Sequence, residues 1–392
     1  MLRNITVGID IGTYQVKVVI SELVKIDGKP TTRVLGTGLV ESKGLRHGYI
    51  INNKDVTESI RGAVTLAEKT AGVKAHRAFV AVGGIGLSGI VSTGNTIISR
   101  ADLEITDLDM EKVCQICEDD LPTAVIQNRR ILHSIPISYK IDGKPVIAKT
   151  PLGMKAAKLE VKMLFVTCLE PHLNDLLQAV EEAGIEVIDC LASPIAASFV
   201  TLSKQQKMVG CLLANIGAET ISIVVFENNI PISLEVFPIG STDITNDIAL
   251  GLKIPLEEAE NLKIGGLGIG SFSKKKLDEI ISARLSDMFE LIENHLKKIG
   301  RSGLLPAGIF ISGGGSGIAT VEDFAKVALR LPSRLATLSL SDKKNIKDST
   351  WAVAYGLCML GNSKEEKVNL GLRPTINSYG MKIFGWFKQF LP

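Results

Sequence analysis

The sequence predicts an α/β fold of two similar domains that face each other across a cleft. Three observations carry that expectation. A strand–turn–strand motif occurs twice, about 200 residues apart. A third apolar strand runs into a glycine-rich turn at Ile309-Phe-Ile-Ser312-Gly-Gly-Gly315-Ser316. The chain has 392 residues, more than the ~250–300 that one hydrophobic core usually reaches, so at least two domains are expected.

The repeated motif is the most informative element. Residues 7–20 read Val-Gly-Ile-Asp10-Ile-Gly12-Thr13-Tyr-Gln-Val-Lys17-Val-Val-Ile, and residues 212–225 read Leu-Leu-Ala-Asn215-Ile-Gly217-Ala218-Glu219-Thr-Ile-Ser-Ile-Val-Val. Asp10 aligns with Asn215 and Gly12 with Gly217. Each copy is a buried strand, a tight turn with glycine and a second β-branched strand. Glycine lets backbone approach a ligand and exposes successive N–H groups, and a concave row of amides is an anion site. Two such turns, one per domain, can clamp a polyphosphate. Thr13 would add a hydroxyl, and Asp10 would hold a magnesium-bound water. Lys17 interrupts an apolar strand, where a lysine needs a partner such as phosphate. The ordinary alternative is a pair of core hairpins with Lys17 reaching outward; the matched pair favours phosphate. At the third strand, consecutive glycines would let a flat ring or ribose lie against the backbone. Glu260 and Lys263 share one face of an expected helix, a spacing equally consistent with a surface ion pair.

Composition excludes several classes. Charged residues are 22% and hydrophobic ones 45%, too apolar for a disordered chain. The net charge of +2 argues against nucleic acid as a partner, which needs a basic stripe or patch. No apolar run reaches membrane-spanning length, and Asp10 stands where a signal peptide needs apolar residues, so the chain is expected not to be exported. Six cysteines in a chain of this length do not suggest a disulfide framework.

Other motifs fail on context. Cys114 and Cys117 lack a second pair to complete a zinc site and read as small residues on a helix. Gly84-Ile-Gly86-Leu-Ser-Gly89 follows an expected strand at 78–82. The β-branched, glycine-broken stretch after it reads as a loop leading to a strand. A dinucleotide site needs a helix there instead. No phosphate-binding G-x-x-x-x-G-K-[ST] motif occurs.

Paired phosphate hairpins with a glycine turn resemble the actin, Hsp70 and sugar-kinase superfamily. Within it the chain resembles the FtsA family of actin-like bacterial cell-division proteins over nearly its whole length. The most specific stretch is Arg130-Ile-Leu-His133-Ser-Ile-Pro136 through Asp142-Gly143, then Thr150-Pro151-Leu-Gly153-Met154, similar to the subdomain inserted in that family. Thr245-Asn246-Asp247-Ile-Ala249 and 259–263 also match, and Ser193-Pro194-Ile-Ala-Ala197 and 351–357 sit where the helices joining the two domains would be.

The resemblance implies two actin-like, ribonuclease H-like domains around a nucleotide cleft, with an inserted subdomain and a C-terminal amphipathic helix. The division it implies is 1–83 with 165–200 and 335–362 (subdomain IA), 84–164 (inserted subdomain IC), 201–226 with 312–334 (IIA), 227–311 (IIB), a flexible linker at 363–378 and a membrane-targeting helix at 379–392. It places Asp10, Gly12, Thr13 and Lys17 in the first phosphate loop and Asn215, Gly217 and Ala218 in the second. Gly313, Gly314 and Gly315 would contact the adenosine, with Glu260 and Lys263 near its ribose or base. ATP and Mg²⁺ are the implied cofactors, with Asp10 reaching the metal through water. The implied partners are the C-terminal peptide of FtsZ, a filament of further copies, later division proteins and an anionic membrane surface. The implied location is the cytoplasmic face of the cell membrane at the division site.

Two positions depart from the superfamily. Asn215 stands where Asp is common and lacks the charge that helps hold the metal. Ser193 stands where many relatives carry Glu or Gln to orient the attacking water, and it is too short to reach as far. No catalytic residue is assigned, and tight ATP binding with slow or absent hydrolysis is expected. Two alternatives remain: an actin-fold pilus-assembly protein, and a metabolic kinase of the same superfamily.

The tail has its own pattern. Residues 361–378 are polar and poorly periodic, a linker with a reach of roughly 20–25 Å. In the stretch from Tyr379 to Leu391, Ile383, Phe384, Trp386, Phe387, Phe390 and Leu391 share an arc of about 160° on a helix. Lys382, Gly385, Lys388 and Gln389 fill the other side. Aromatics on one face and lysines on the other describe a helix lying in a lipid interface; the ordinary alternative is a helix docked on the core. Ordering about twelve residues costs roughly 1–2 kcal/mol each, so one tail should bind modestly and a polymer of tails far more strongly.

Overall fold

The computed structural model describes residues 4–26, 29–148, 150–266, 273–338 and 348–369. The chain opens with β1 (Ile5–Ile11), β2 (Gln15–Ile26), β3 (Lys29–Glu41), the short pair β4 (Leu45–Arg46) and β5 (Tyr49–Ile50), α1 (Asn53–Ala71) and β6 (Arg77–Val82). A separate unit follows, with β7 (Ser88–Ile97), α2 (Asp107–Asp119), α3 (Thr123–Ile126), β8 (Arg129–Ile141), β9 (Lys144–Pro145) and β10 (Lys158–Leu169). The chain returns through α4 (Glu170–Glu182), β11 (Glu186–Ala192) and α5 (Ser193–Thr201). The second half holds α6 (Lys204–Val209), β12 (Cys211–Ile216), β13 (Ile221–Glu227), β14 (Ile230–Phe237), α7 (Ser241–Leu252), α8 (Leu256–Lys263), α9 (Lys274–Lys298), β15 (Gly308–Ser312), α10 (Val321–Leu329), β16 (Ser333–Leu335) and α11 (Ala352–Asn369).

The two large sheets have one topology. The first runs β3-β2-β1-β6-β11 and the second β14-β13-β12-β15-β16. In each, the first three strands pair antiparallel and the remaining pairs are parallel. The central strands are Val- and Ile-rich and buried on both faces, as sheets covered by helices require: Val7, Ile9, Val18 and Ile20 in one, Leu212, Ala214, Ile223 and Val225 in the other. The motif repeat seen in the sequence is thus a repeat of whole domains.

Two helices carry the chain between the sheets. Helix α5 leaves β11 for the second half, and α11 returns to pack on α5 and β1. A Cβ on Gly356 would lie 1.8 Å from Ala196 O, so the two helices meet backbone to backbone, which only glycine at this position permits. The small residues expected at this joint serve that contact.

The inserted sheet runs β7-β10-β8-β9, antiparallel throughout, with its own core around Val113, Leu159, Met163 and Phe165 beneath α2. Cys114 and Cys117 are free and buried on α2. The strand expected at 78–82 is β6, and the glycine run after it is a loop leading to β7. The inserted sheet also leans on the second domain, because a Cβ at Gly89 would meet Leu234 O of β14 at 2.9 Å.

Three expected boundaries differ from the strands. Residue 164 lies inside β10, which continues to Leu169 as a partner of both β7 and β8. Strands β14 and β15, expected in IIB, belong to the second large sheet by pairing with β13 and β12. Helix α11 runs to Asn369, so the first part of the expected linker is helical; the Lys364-Glu-Glu-Lys367 run consists of strong helix formers. The expected membrane helix at 379–392 lies outside the described residues. Among the described residues, no helix is long and apolar enough to cross a membrane.

Helix α9 fastens to β14 through a buried polar pair, Ser233 Oγ to His295 Nε2 at 2.7 Å. Burial first, and the Lys298 ammonium second, push the His295 imidazole down to about 4. An unfolded histidine titrates at about 6.5, so between about 6.5 and 4 the unfolded chain binds more protons than the fold. The stability carried by neutral His295 is present in full above pH 6.5 and is lost as pH falls toward 4. Urea unfolding at pH 7 and pH 5 should show His295→Gln losing about 1–2 kcal/mol less than the parent over this interval. Equal losses would contradict the assignment.

Candidate functional site

The candidate site is built around the turns of the two matching hairpins. In the first hairpin Gly12 N donates to Gln15 O at 3.1 Å, and in the second Gly217 N donates to Thr220 O at 2.8 Å. A Cβ at either glycine would lie 3.0 Å from that same carbonyl, so the two turns have one geometry. The amides of Thr13 and Tyr14, and those of Ala218 and Glu219, find no acceptor among the described residues. Each turn therefore presents two successive free N–H groups, the arrangement that binds an anion.

Charge differs between the copies. Asp10 and Lys17 are direct cross-strand partners at the base of the first turn. The corresponding pair in the second is Asn215 and Ser222, both neutral. Asp10 keeps some solvent access, yet burial pushes its carboxyl up to about 6 against the opposing pull of Lys17. Asp10 accepts no hydrogen bond from described residues, and Lys17, 9% exposed, donates none among them. A carboxylate held short of partners beside a buried ammonium suits a site completed by a cation and an anion together.

The glycine turn packs on the second hairpin. Gly313 has φ +86°, and a Cβ there would lie 2.4 Å from Asn215 Oδ1 and 2.5 Å from Ile216 O. A Cβ at Gly315 would lie 2.3 Å from Ile216 Cγ2. These two glycines are small because β12 lies against them, whereas the sequence reading took all three to leave room for a ring. Gly314 alone faces open space.

Glu260 and Lys263 adjoin the same hairpin. Ser241 N and Thr242 N, which open α7, donate to Gly217 O and Ala218 O at 2.9 and 2.8 Å. Lys263 Nζ donates to Ser241 O (3.1 Å), Thr245 Oγ1 (2.9 Å) and Glu260 Oε2 (2.6 Å). The Lys263 side chain is 5% exposed and that of Glu260 48%. Lys263 is therefore an internal tie, and Glu260 is the solvent-exposed member of the pair.

The two halves touch across the cleft. Within the first half, Ser42 N donates to Tyr14 O at 2.9 Å. Five residues on, His47 donates its backbone N–H to a Glu219 carboxylate oxygen, and its Nδ1 lies 3.2 Å from Glu219 O. His47 has φ +49°, and the adjacent Gly48 packs against Gly84. Ser193 Oγ would lie 3.2 Å from a Cβ on Gly83, the next link in this chain of contacts. The structure thus groups Asn215, Gly217, Gly313 and Gly315 with Lys263 around the second hairpin, and His47 links that hairpin to the first half. His47 was missed in the sequence, where a lone histidine between glycines carries no periodic or motif signal; Thr245 was noted only as part of a family match.

Two sheets of identical order, joined by two crossing helices and facing each other through matching hairpins, define an actin-like α/β protein. Residues 212–356 match the family described as "Cell division protein FtsA", and residues 84–167 match "SHS2 domain inserted in FTSA". The cell division protein FtsA of Pseudomonas aeruginosa is 30% identical over 92% of this chain and 89% of its own length. The chain belongs to the FtsA family of cell-division proteins. Among solved structures, a PilM-PilN type IV pilus biogenesis complex aligns with TM-score 0.68 at 16% identity, covering 91% of this chain and 98% of that one. MreB5 of Spiroplasma citri bound to ADP aligns with TM-score 0.54 at 12% identity, covering 94% and 99%. At these identities the likeness carries the fold alone, and the pilus-assembly alternative is not favoured beside the family match.

The glycine geometry is testable. Gly313→Ala should lower stability by about 1–3 kcal/mol through overpacking and a strained φ, whereas Gly314→Ala, whose Cβ meets nothing within 4 Å, should leave the melting temperature unchanged. Calorimetric melting checks both, and equal destabilisation by the two would contradict the packing.

Proposed function

We propose that this protein binds Mg²⁺-ATP between its two hairpin turns and, as a filament, tethers the FtsZ ring to the inner face of the cytoplasmic membrane. The observation that carries the nucleotide reading is the pair of equivalent turns, one in each half, each with two amides that find no acceptor among the described residues. The turns at Gly12–Tyr14 and Gly217–Glu219 hold the phosphates, with Thr13 adding a hydroxyl and Lys17 a charge. Asn215 underlies the second turn, Glu260 meets the nucleoside, and Gly314 lies open beside it.

Asp10 fits a magnesium ion held through water, because its carboxyl accepts no hydrogen bond among the described residues and sits at the base of the first turn. The ion would neutralise phosphate charge. Nothing in the second hairpin replaces that carboxylate, since Asn215 is neutral. Ser193, at the start of α5, is too short to hold a water as a longer acid or amide would. Both features support slow hydrolysis, because phosphoryl transfer depends on positioning and charge stabilisation.

The membrane reading rests on the tail pattern, with Ile383, Phe384, Trp386, Phe387, Phe390 and Leu391 on the lipid side and Lys388 toward anionic headgroups. Family membership supports a place at the division site, with the C-terminal peptide of FtsZ and later division proteins as partners. A modest single anchor multiplied along a filament gives avidity that depends on assembly.

Co-sedimentation with anionic vesicles tests the whole reading. The full chain should pellet, more so with ATP, and a chain ending at Ser378 should not. Phe387→Glu should bind ATP normally but stay in the supernatant. Equal pelleting of all three would mean that the tail is not the anchor.

A further inference from the structure

A buried threonine in the second domain sets the direction of Glu260. We infer that Thr245, backed by Lys263, is a positioning residue: it pins one carboxylate oxygen of Glu260 so that the other is presented to a hydroxyl of the bound nucleoside. The inference rests on the proposed placement of Glu260 beside the nucleoside and assigns a role to a residue outside the cleft lining.

Proton accounting carries the argument. Lys263 Nζ has three protons and no lone pair, and it has three acceptors in reach: Ser241 O, Thr245 Oγ1 and Glu260 Oε2. Thr245 Oγ1 must therefore accept from Lys263, which leaves its single proton to donate. Two acceptors are within reach, Ser241 O at 3.3 Å and Glu260 Oε2 at 2.5 Å. The charged oxygen is the nearer and stronger acceptor, and Ser241 O is already served by Lys263. The hydroxyl therefore points at Glu260 Oε2.

Glu260 then has one oxygen fully engaged. Oε2 receives both Thr245 and Lys263, while Oε1 has no hydrogen-bond partner among the described residues and belongs to a side chain 48% exposed. Thr245 itself is 5% exposed and cannot reach a ligand in the cleft. Two donors on one oxygen fix the side chain's torsion, so the free oxygen keeps one orientation before any ligand arrives. Such preorganisation favours the complex by sparing the ordering of a long side chain on binding. The same network ends on Ser241, whose N–H holds Gly217 O of the second hairpin turn. The nucleoside-facing oxygen and the phosphate-facing amides are thereby set in one rigid unit.

The test compares equilibrium binding of ATP, 2′-deoxy-ATP and 3′-deoxy-ATP to the full chain and to Thr245→Val, Thr245→Ser and Glu260→Gln. The parent should prefer ATP by about tenfold over the nucleotide lacking the hydroxyl that Oε1 accepts from, the worth of a hydrogen bond to a charged group. Thr245→Val keeps the shape and removes the hydroxyl; it should lose most of that preference while its affinity for the deoxynucleotide stays within twofold of the parent. Thr245→Ser should restore the preference. A merely structural threonine would lower all three affinities in parallel, and that result overturns the proposal. Preference lost in Glu260→Gln but kept in Thr245→Val overturns the role of Thr245 and leaves Glu260 at the nucleoside. Preference unchanged in Glu260→Gln, or absent in the parent, overturns the placement of Glu260 and the proposal with it.

Discussion

The hydrogen bond from Gly12 N to Gln15 O and its counterpart from Gly217 N to Thr220 O close two turns that leave the next two amides of each without an acceptor among the described residues. Backbone N–H groups are obligatory donors, and native folds rarely leave them unpaired away from water. Two such pairs facing one cleft are a constraint around which the surrounding elements are arranged. Helix α7 begins beneath the second turn and gives its first two N–H groups to that turn's carbonyls. The glycine turn after β15 presses on Asn215 and Ile216 from the other side. Lys263 then ties α8 to the same base. Each contact stiffens the turn without occupying its amides.

The duplication is topological but not electrostatic. The first hairpin carries Asp10 opposite Lys17, and the second carries Asn215 opposite Ser222. A hairpin with a carboxylate and an ammonium at its base is thus matched by one whose base pair is neutral. At the joint between the halves Gly356 lies against Ala196, a contact with no side chain to yield. The inserted sheet spans the joint by resting on Leu234 of the second domain, and His47 reaches Glu219 at the opposite lip of the cleft. Any change in cleft width must be felt at both places.

Much of this was legible in the sequence because it is local. A strand–turn–strand with glycine at a fixed place needs a dozen residues to declare itself, and its repetition foretold the matching sheets. The roles of Gly313 and Gly315 were not legible, because what excludes a side chain there is Asn215 and Ile216, about 100 residues earlier. The burial of Lys263 was equally hidden. Its spacing from Glu260 is that of any surface pair, and only the placement of α7 supplies Ser241 O and Thr245 Oγ1. The pairing of β14 with β13 and of β15 with β12 was hidden for a related reason: strand pairing is long-range, and a boundary drawn along the chain cannot see it. His47 had no local pattern at all.

The central claim is that both turns engage one ligand at once. Amide hydrogen exchange resolved to residues 12–15 and 217–220, with and without Mg²⁺-ATP, tests it most directly. The account predicts that Thr13 and Tyr14, and Ala218 and Glu219, exchange quickly in the free protein and become protected together over the same nucleotide concentrations. Protection of one turn alone, or of neither while ATP is bound, would contradict it.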